Sequence, residues 1–131
     1  MSTSEPSPST KRAAENNVCR RPPEIDQYVD NFLSTVCDTS RRYILELLAV
    51  PEKETDDTLP EWRSGDIARA IGLSAATTSE HLRQLTEMGL VISRRVGNVV
   101  YYQLCNQKLV QAFQDLLESL DHHYNKHIKD S

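Results

Sequence analysis

Residues 64–104 decide the fold, and they read SGDIARAIGLSAATTSEHLRQLTEMGLVISRRVGNVVYYQL. Apolar residues recur at helical spacing over about 64–71, and Gly72 follows where a left-handed residue commonly ends a helix. A second helix, with a serine at its cap position, is predicted over residues 74–88. Strand-forming residues over 90–104 flank a Val-Gly-Asn turn, which predicts a β-hairpin. This order of elements predicts a winged helix-turn-helix.

Helical patterns flank this stretch on both sides. One begins at Glu24, a second follows the cap residue Asp38, and the last covers about Gln107–Tyr124 with an apolar stripe. The expected fold class is therefore mainly α with a small β-hairpin. The expected organisation is a disordered N-terminal arm over residues 1–22, a winged helix-turn-helix domain over 23–125, and a C-terminal tail over 126–131.

The composition excludes several classes of protein. The 131 residues are 38% hydrophobic and 26% charged, which is ordinary for a globular domain. No apolar run approaches the roughly 18 residues that a membrane-spanning helix needs, and the N-terminus lacks the apolar segment of a signal peptide. We therefore expect a cytoplasmic protein with no membrane partner. No nucleophile elbow, phosphate-binding glycine loop or zinc-hydrolase spacing occurs, which argues against an enzyme.

A helix-turn-helix followed by a wing is typical of proteins that bind double-stranded DNA. The second helix would lie in the major groove, with its N-terminal residues near base edges and phosphates. The wing would place Arg94 and Arg95 near the phosphate backbone and Asn98 at its tip. The net charge of -4 argues against nucleic acid, but residues 74–104 are slightly basic. A winged helix that contacts only another protein is the alternative.

Several ordered motifs resemble the ArsR/SmtB family of bacterial winged-helix repressors, over about residues 28–120. The segments that carry the resemblance are VCDTSRRYILELL (36–48), DIA (66–68), GLS (72–74), TTSEHL (77–82), MGLV (88–91) and RRVGNVVYYQL (94–104).

The resemblance implies a homodimer whose first and last helices form the interface, bound to operator DNA until an inducer releases it. Carried onto this sequence, the base-reading positions are Ala75–Ala76 and Ser79–Glu80, with Thr77 and His81 nearby. Family members usually have polar residues where the alanine pair stands, and alanine can contact only a thymine methyl. The complete set of expected DNA-binding residues is Ser74, Ala75, Ala76, Thr77, Thr78, Ser79, Glu80, His81, Arg83, Arg94, Arg95 and Asn98.

The metal sites that the resemblance implies are missing from this sequence. Residues 63–66 contain no Cys-x-Cys pair. The positions of the family's zinc site in the last helix carry Asn106, Lys108, Ser119 and His122. Because a lysine does not bind zinc at neutral pH, we expect no zinc there and no obligatory cofactor.

Three cysteines offer another way to bind an inducer, because soft thiolates suit arsenic(III), antimony(III) and other thiophilic ions. Cys19 lies beside two arginines and Cys105 is expected at the start of the last helix, and both settings favour the thiolate. Cys37 completes the expected metal site, although packing in the core is the alternative for it. Sensing of an oxidant or persulfide by two of these thiols also stays open. The histidines His122, His123 and His127 are a candidate for a further metal site. The commoner explanation for histidines at such positions is a solvated helix end, where they complement the helix dipole.

Overall fold

The computed structural model describes residues 20–51 and 58–129. The chain divides after Leu33 into two units, and the elements beyond the first helix all belong to the second. In chain order the elements are α1 (Pro23–Val36), α2 (Thr39–Leu48), β1 (Trp62–Arg63), α3 (Ser64–Ile71), α4 (Ala75–Glu87), β2 (Val91–Val96), β3 (Val99–Leu104), α5 (Gln107–His123) and a π-helical turn (Tyr124–Ile128). Most of the expected N-terminal arm, with Cys19, lies outside the described residues.

Short polar side chains set where the helices begin. The carboxylate of Asp38 accepts a hydrogen bond from the Arg41 backbone N–H at 3.0 Å, and this bond lowers the pKa of Asp38. The Ser74 hydroxyl accepts one from the Thr77 N–H at 3.2 Å and so caps α4. Gly72 ends α3 in the left-handed region, at φ 84°. These local bonds explain why the predicted and observed bounds of α3 and α4 nearly coincide.

The strands form a three-stranded antiparallel sheet in the order β1-β3-β2. The expected hairpin is present, with residues 91–96 paired to residues 99–104. Strand β1, in which Trp62–Arg63 pair with Tyr101–Tyr102, was not predicted from the sequence. The winged helix-turn-helix is confirmed, and its wing carries one more strand than expected.

The core lies where α2, α3 and α4 pack on one another. Ile44 of α2, Ile67 of α3 and Leu82 and Leu85 of α4 are all fully buried. The apolar stripes read from the sequence face this core. The packing fixes α4 with its opposite side toward solvent.

The last helix, α5, is packed far less completely. It has 17 residues, of which Val110 is the one that is buried. Leu116 and Leu120 remain 50% and 55% exposed. Helical structure continues from α5 through Ile128, into the segment expected to be a tail. Neither α5 nor any other helix in the described part of the chain is long and apolar enough to cross a membrane.

Candidate nucleic-acid interface

The first turns of α4 present a row of small, exposed residues. Ser74, Ala75, Ala76, Thr77, Ser79 and Glu80 are all exposed. The Ser74 hydroxyl also donates to the Thr77 hydroxyl oxygen at 2.9 Å, which orders the two side chains. A helix N-terminus with free N–H groups and exposed hydroxyls is suited to phosphate oxygens and base edges.

Thr78 was expected among the DNA-binding residues, and the structure contradicts that prediction. Its side chain is fully buried, on the same side of α4 as Leu82 and Leu85. Its hydroxyl has no hydrogen-bond partner among the described residues. A residue at this point of the helical repeat faces the core, so Thr78 stabilises α4 from within and is not available to DNA.

His81 follows one turn after Thr77 and is half-buried. Its Nδ1 accepts a hydrogen bond from Nε of Arg41 at 3.2 Å. Arg41 belongs to α2 and also donates from Nη1 to the backbone carbonyl of Thr35 at 3.0 Å. Arg41 was not among the predicted site residues, because it is separated from His81 by 40 residues in the sequence. Its place in the RRYILELL motif was the one available signal.

Arg83 of α4 is occupied by carboxylates of its own helix. Its Nε donates to Glu80 at 2.8 Å, and its guanidinium also pairs with Glu87. The hydrogen bond from Arg83 lowers the pKa of Glu80 to about 2, and both carboxylates raise the pKa of Arg83. This group of one cation and two anions carries no excess positive charge. Arg83 is thus less suited to neutralising a phosphate than the sequence suggested.

The two wing arginines differ in whether a carboxylate holds them. Both carboxylate oxygens of Glu61 accept hydrogen bonds from Arg94 at 2.8 Å, and its guanidinium carbon lies 5.3 Å from the centre of the Tyr101 ring. The bond from Arg94 lowers the pKa of Glu61. Arg95 is exposed, projects from the opposite face of β2, and makes no ion pair with any described residue.

Asn98 lies in the turn at the tip of the wing and is exposed. The preceding Gly97 adopts φ 62°, a conformation that favours glycine and allows the tight turn. The wing therefore brings Arg95 and Asn98 to one end of the hairpin. The contact of Glu61 with Arg94 was missed in the sequence because the two residues are separated by 33 positions.

The surroundings of the cysteines differ from those expected. Cys37 is exposed, which removes the alternative that it packs in the core. Cys105 precedes the cap residue Asn106, and its Sγ donates to the carbonyl of Gly89 at 3.0 Å. Burial raises the pKa of Cys105, so the prediction of a thiolate favoured by the helix N-terminus is wrong.

The three histidines near the C-terminus have different neighbours. The rings of His123 and His127 lie 4.7 Å apart, centre to centre, while His122 lines an open depression with Asp115, Glu118 and Ser119. Within residues 20–51 and 58–129, no three His, Cys, Asp or Glu side chains are grouped as metal ligands. The trio that includes Cys19 lies partly outside these residues.

Comparison with known proteins agrees with this architecture. The family model described as "Bacterial regulatory protein, arsR family" matches residues 61–93. The structure is similar to the homodimeric winged helix-turn-helix DNA-binding domain of a possible ArsR-family regulator from Mycobacterium bovis. The TM-score is 0.66 at 27% identity, over 80% of this chain and 89% of that one.

Curated relatives extend the similarity beyond the matched segment. The cadmium resistance regulator CadC of Listeria innocua is 43% identical over 49 residues, which span 37% of this chain and only 41% of that relative. The transcriptional regulator NmtR of Mycobacterium tuberculosis is 30% identical over 83 residues, or 60% of this chain and 68% of the relative. Fold, family model and this longer match all agree: the chain belongs to the ArsR family of bacterial transcriptional regulators, a family of DNA-binding proteins rather than enzymes.

Proposed function

We propose that this chain is a cytoplasmic transcriptional repressor that binds double-stranded operator DNA as a homodimer and leaves it when an inducer binds. The observation that carries the proposal is the exposed N-terminal end of α4, followed in sequence by a wing in which Arg95 makes no ion pair within residues 20–51 and 58–129. Two such units related by two-fold symmetry would read two half-sites about one helical turn apart. A dimer bound across a promoter excludes the polymerase, which is how binding becomes repression.

The contacts follow from the chemistry of the exposed residues. Hydroxyls and N–H groups at the start of α4 can bond phosphates and base edges, while Ala75 and Ala76 can pack only against thymine methyls. Arg95 would neutralise a phosphate, whereas Arg94 and Arg83 are already held by carboxylates. The contact set we propose is Ser74, Ala75, Ala76, Thr77, Ser79, Glu80, His81, Arg95 and Asn98.

The test is a titration of DNA from upstream of the chain's own gene, followed by fluorescence anisotropy at several salt concentrations. Affinity should fall as salt rises, and Arg95→Gln should reduce the salt slope by about 2, because a dimer loses two phosphate contacts. Lys108→Gln, which removes the same charge from exposed α5, is the matched control and should leave the slope unchanged. Absence of binding at low salt would contradict DNA recognition and favour a protein-interaction module.

For the inducer, we propose a thiophilic ion, with arsenic(III) first, bound by the thiols of Cys19, Cys37 and Cys105. Arsenite binds by exchange: each thiol that bonds to arsenic gives its proton to a departing hydroxide, and one water leaves per sulfur. Exposure of Cys37 supports access, and a relative named for cadmium resistance supports a soft ion. The Cys105 thiol donates a hydrogen bond to the carbonyl of Gly89, two residues beyond α4. An ion bound by Cys105 would replace this bond and so could affect the end of the recognition helix.

Titrating the DNA complex with arsenite, cadmium, zinc and a mild oxidant tests this proposal. Arsenite should release wild-type protein, and Cys→Ser changes at all three positions should abolish the release without weakening DNA binding. Release of the triple variant by arsenite would overturn the thiol site. Release of the wild type by oxidant alone would instead favour the redox alternative, in which two thiols lose two electrons and two protons to form a disulfide.

A further inference from the structure

The contact between Arg41 and His81 determines where the imidazole carries its proton. Nε of an arginine is always protonated and can only donate, so the ring nitrogen it contacts must accept. That nitrogen is Nδ1, at 3.2 Å. A neutral histidine that accepts at Nδ1 carries its hydrogen at Nε2. The Arg41 contact therefore fixes His81 as an Nε2–H donor.

Arg41 is itself held firmly enough to impose this choice. Its Nη1 donates to the carbonyl of Thr35 at 3.0 Å, and its backbone N–H donates to the Asp38 carboxylate at 3.0 Å. Arg41 is half-buried, and the lower local dielectric strengthens its hydrogen bonds and the interaction of its charge with neighbouring groups. The positive charge of Arg41 contributes to lowering the pKa of the Asp38 and Glu80 carboxyl groups.

His81 stands on the side of α4 that begins with the exposed hydroxyls. It is seven residues beyond Ser74 and four beyond Thr77, so the three lie along one stripe of the helix. Among the described residues, no acceptor is bonded to its Nε2. The ring thus has one nitrogen engaged with α2 and one donor uncommitted beside the proposed DNA contacts.

We propose that Arg41 is a positioning residue that holds His81 in the Nε2–H form, so that His81 donates a hydrogen bond to an acceptor on DNA. This inference rests on the proposed function for its DNA partner, but the tautomer itself does not. The acceptor is a phosphate oxygen or a purine ring or carbonyl acceptor, which share the same chemistry toward an N–H donor. An unordered ring would offer that donor only part of the time, at a cost in affinity.

The first test is long-range 15N NMR of the imidazoles in the full chain without DNA. Wild-type His81 should show a bare Nδ1 and a protonated Nε2 above its titration range. Arg41→Met should move the two nitrogen shifts toward each other as both tautomers become populated. Arg42→Met removes the neighbouring cation, which bonds the Val36 carbonyl and Thr39, and should leave the His81 shifts unchanged. Arg41→Lys, which keeps a donor, should restore much of the wild-type pattern.

The second test measures DNA affinity of the same variants. His81→Leu should weaken binding by about five- to tenfold, Arg41→Met by only about twofold because about half of the rings then still present Nε2–H, and the double variant should lose no more than His81→Leu alone. An equal loss on operator and unrelated DNA identifies a phosphate acceptor, while a loss confined to the operator identifies a base.

A protonated Nδ1 in wild-type His81, or a tautomer unaffected by Arg41→Met, would overturn the inference. So would additive losses in the double variant. A wild-type protein that binds no DNA at low salt would instead defeat the proposed function, and the NMR result would still report on Arg41 and His81.

Discussion

The recognition helix and the last helix are built from similar amphipathic sequences but are packed very differently. In α4, Thr78, Leu82 and Leu85 are all fully buried within one chain. In the longer α5, Val110 is the one buried side chain, and large apolar residues further along are half exposed. The chain therefore completes the environment of α4 by itself and leaves that of α5 open. An apolar helix face of this kind is typical of a surface that another subunit covers.

The difference has a consequence for how the two helices respond to change. Packing inside one chain resists unfolding at any protein concentration, whereas packing between chains depends on how many dimers are present. The similar domain from Mycobacterium bovis is homodimeric, and a dimer of this chain is part of the proposed function. Substitutions in the two helices can separate the two kinds of packing.

The largest effect is expected from truncating the interior of α4. Leu82→Ala should lower the free energy of unfolding by about 2–5 kcal/mol, because it removes buried methyl groups and leaves a cavity. The loss should be the same at every protein concentration in urea unfolding. Leu116→Ala, at a half-exposed position of α5, should cost little in dilute protein and more as the concentration rises. Equal, concentration-independent losses would remove the distinction between the helices.

The next effect is on assembly. Leu120→Asp should raise the dimer dissociation constant about tenfold or more, since a charge replaces an apolar contact at the proposed interface. Sedimentation equilibrium measures this directly. Ser119→Asp adds the same charge at the adjacent exposed position and is the matched control. A dimer that survives Leu120→Asp unchanged would place the interface elsewhere.

Removal of the cap of α4 should have a smaller effect. Ser74→Ala should cost about 1 kcal/mol of stability, because the Thr77 N–H loses its acceptor, while Ser74→Gly should cost only a few tenths. Thermal unfolding followed by circular dichroism distinguishes the two. If both variants match the wild type, the bond at 3.2 Å contributes nothing to stability.

The smallest effect is expected at Thr78. Thr78→Val keeps the shape of the side chain and removes a buried hydroxyl without a partner, so stability should stay level or rise by up to about 1 kcal/mol. DNA affinity should not change. Thr77→Val, its exposed neighbour, should gain no stability and should weaken DNA binding. Weaker DNA binding by Thr78→Val with α4 intact would restore Thr78 to the interface.

Features that depend on neighbours in sequence could be predicted, and features that depend on distant partners could not. Gly72, Ser74 and the helical stripes act within a few residues, so the bounds of α3 and α4 and the wing followed from the sequence. The bond of Arg94 to Glu61 spans 33 residues and that of Arg41 to His81 spans 40. No local pattern encodes such pairs, because they exist only once the chain has folded.

Thr78 and Cys105 show the same limit at single positions. Thr78 lies in a motif rich in exposed hydroxyl residues, and only the phase of the helix decides that it faces inward. Cys105 was expected to have a low pKa because it lies just before the last helix, which starts at Gln107 as predicted. The raised pKa of this thiol comes from its burial, which depends on how the folded chain packs around it and not on a local sequence pattern.

The backbone bonds around Leu90 join the end of α4 to the start of α5. Leu90 N–H donates to the carbonyl of Leu85 at 3.0 Å, and Cys105 N–H donates to the carbonyl of Leu90 at 2.9 Å. Leu90 is therefore hydrogen-bonded both to α4 and to the residue that precedes the N-cap of α5. A displacement at the start of α5 would therefore have a short backbone route to the C-terminal end of α4, through Cys105 and Leu90.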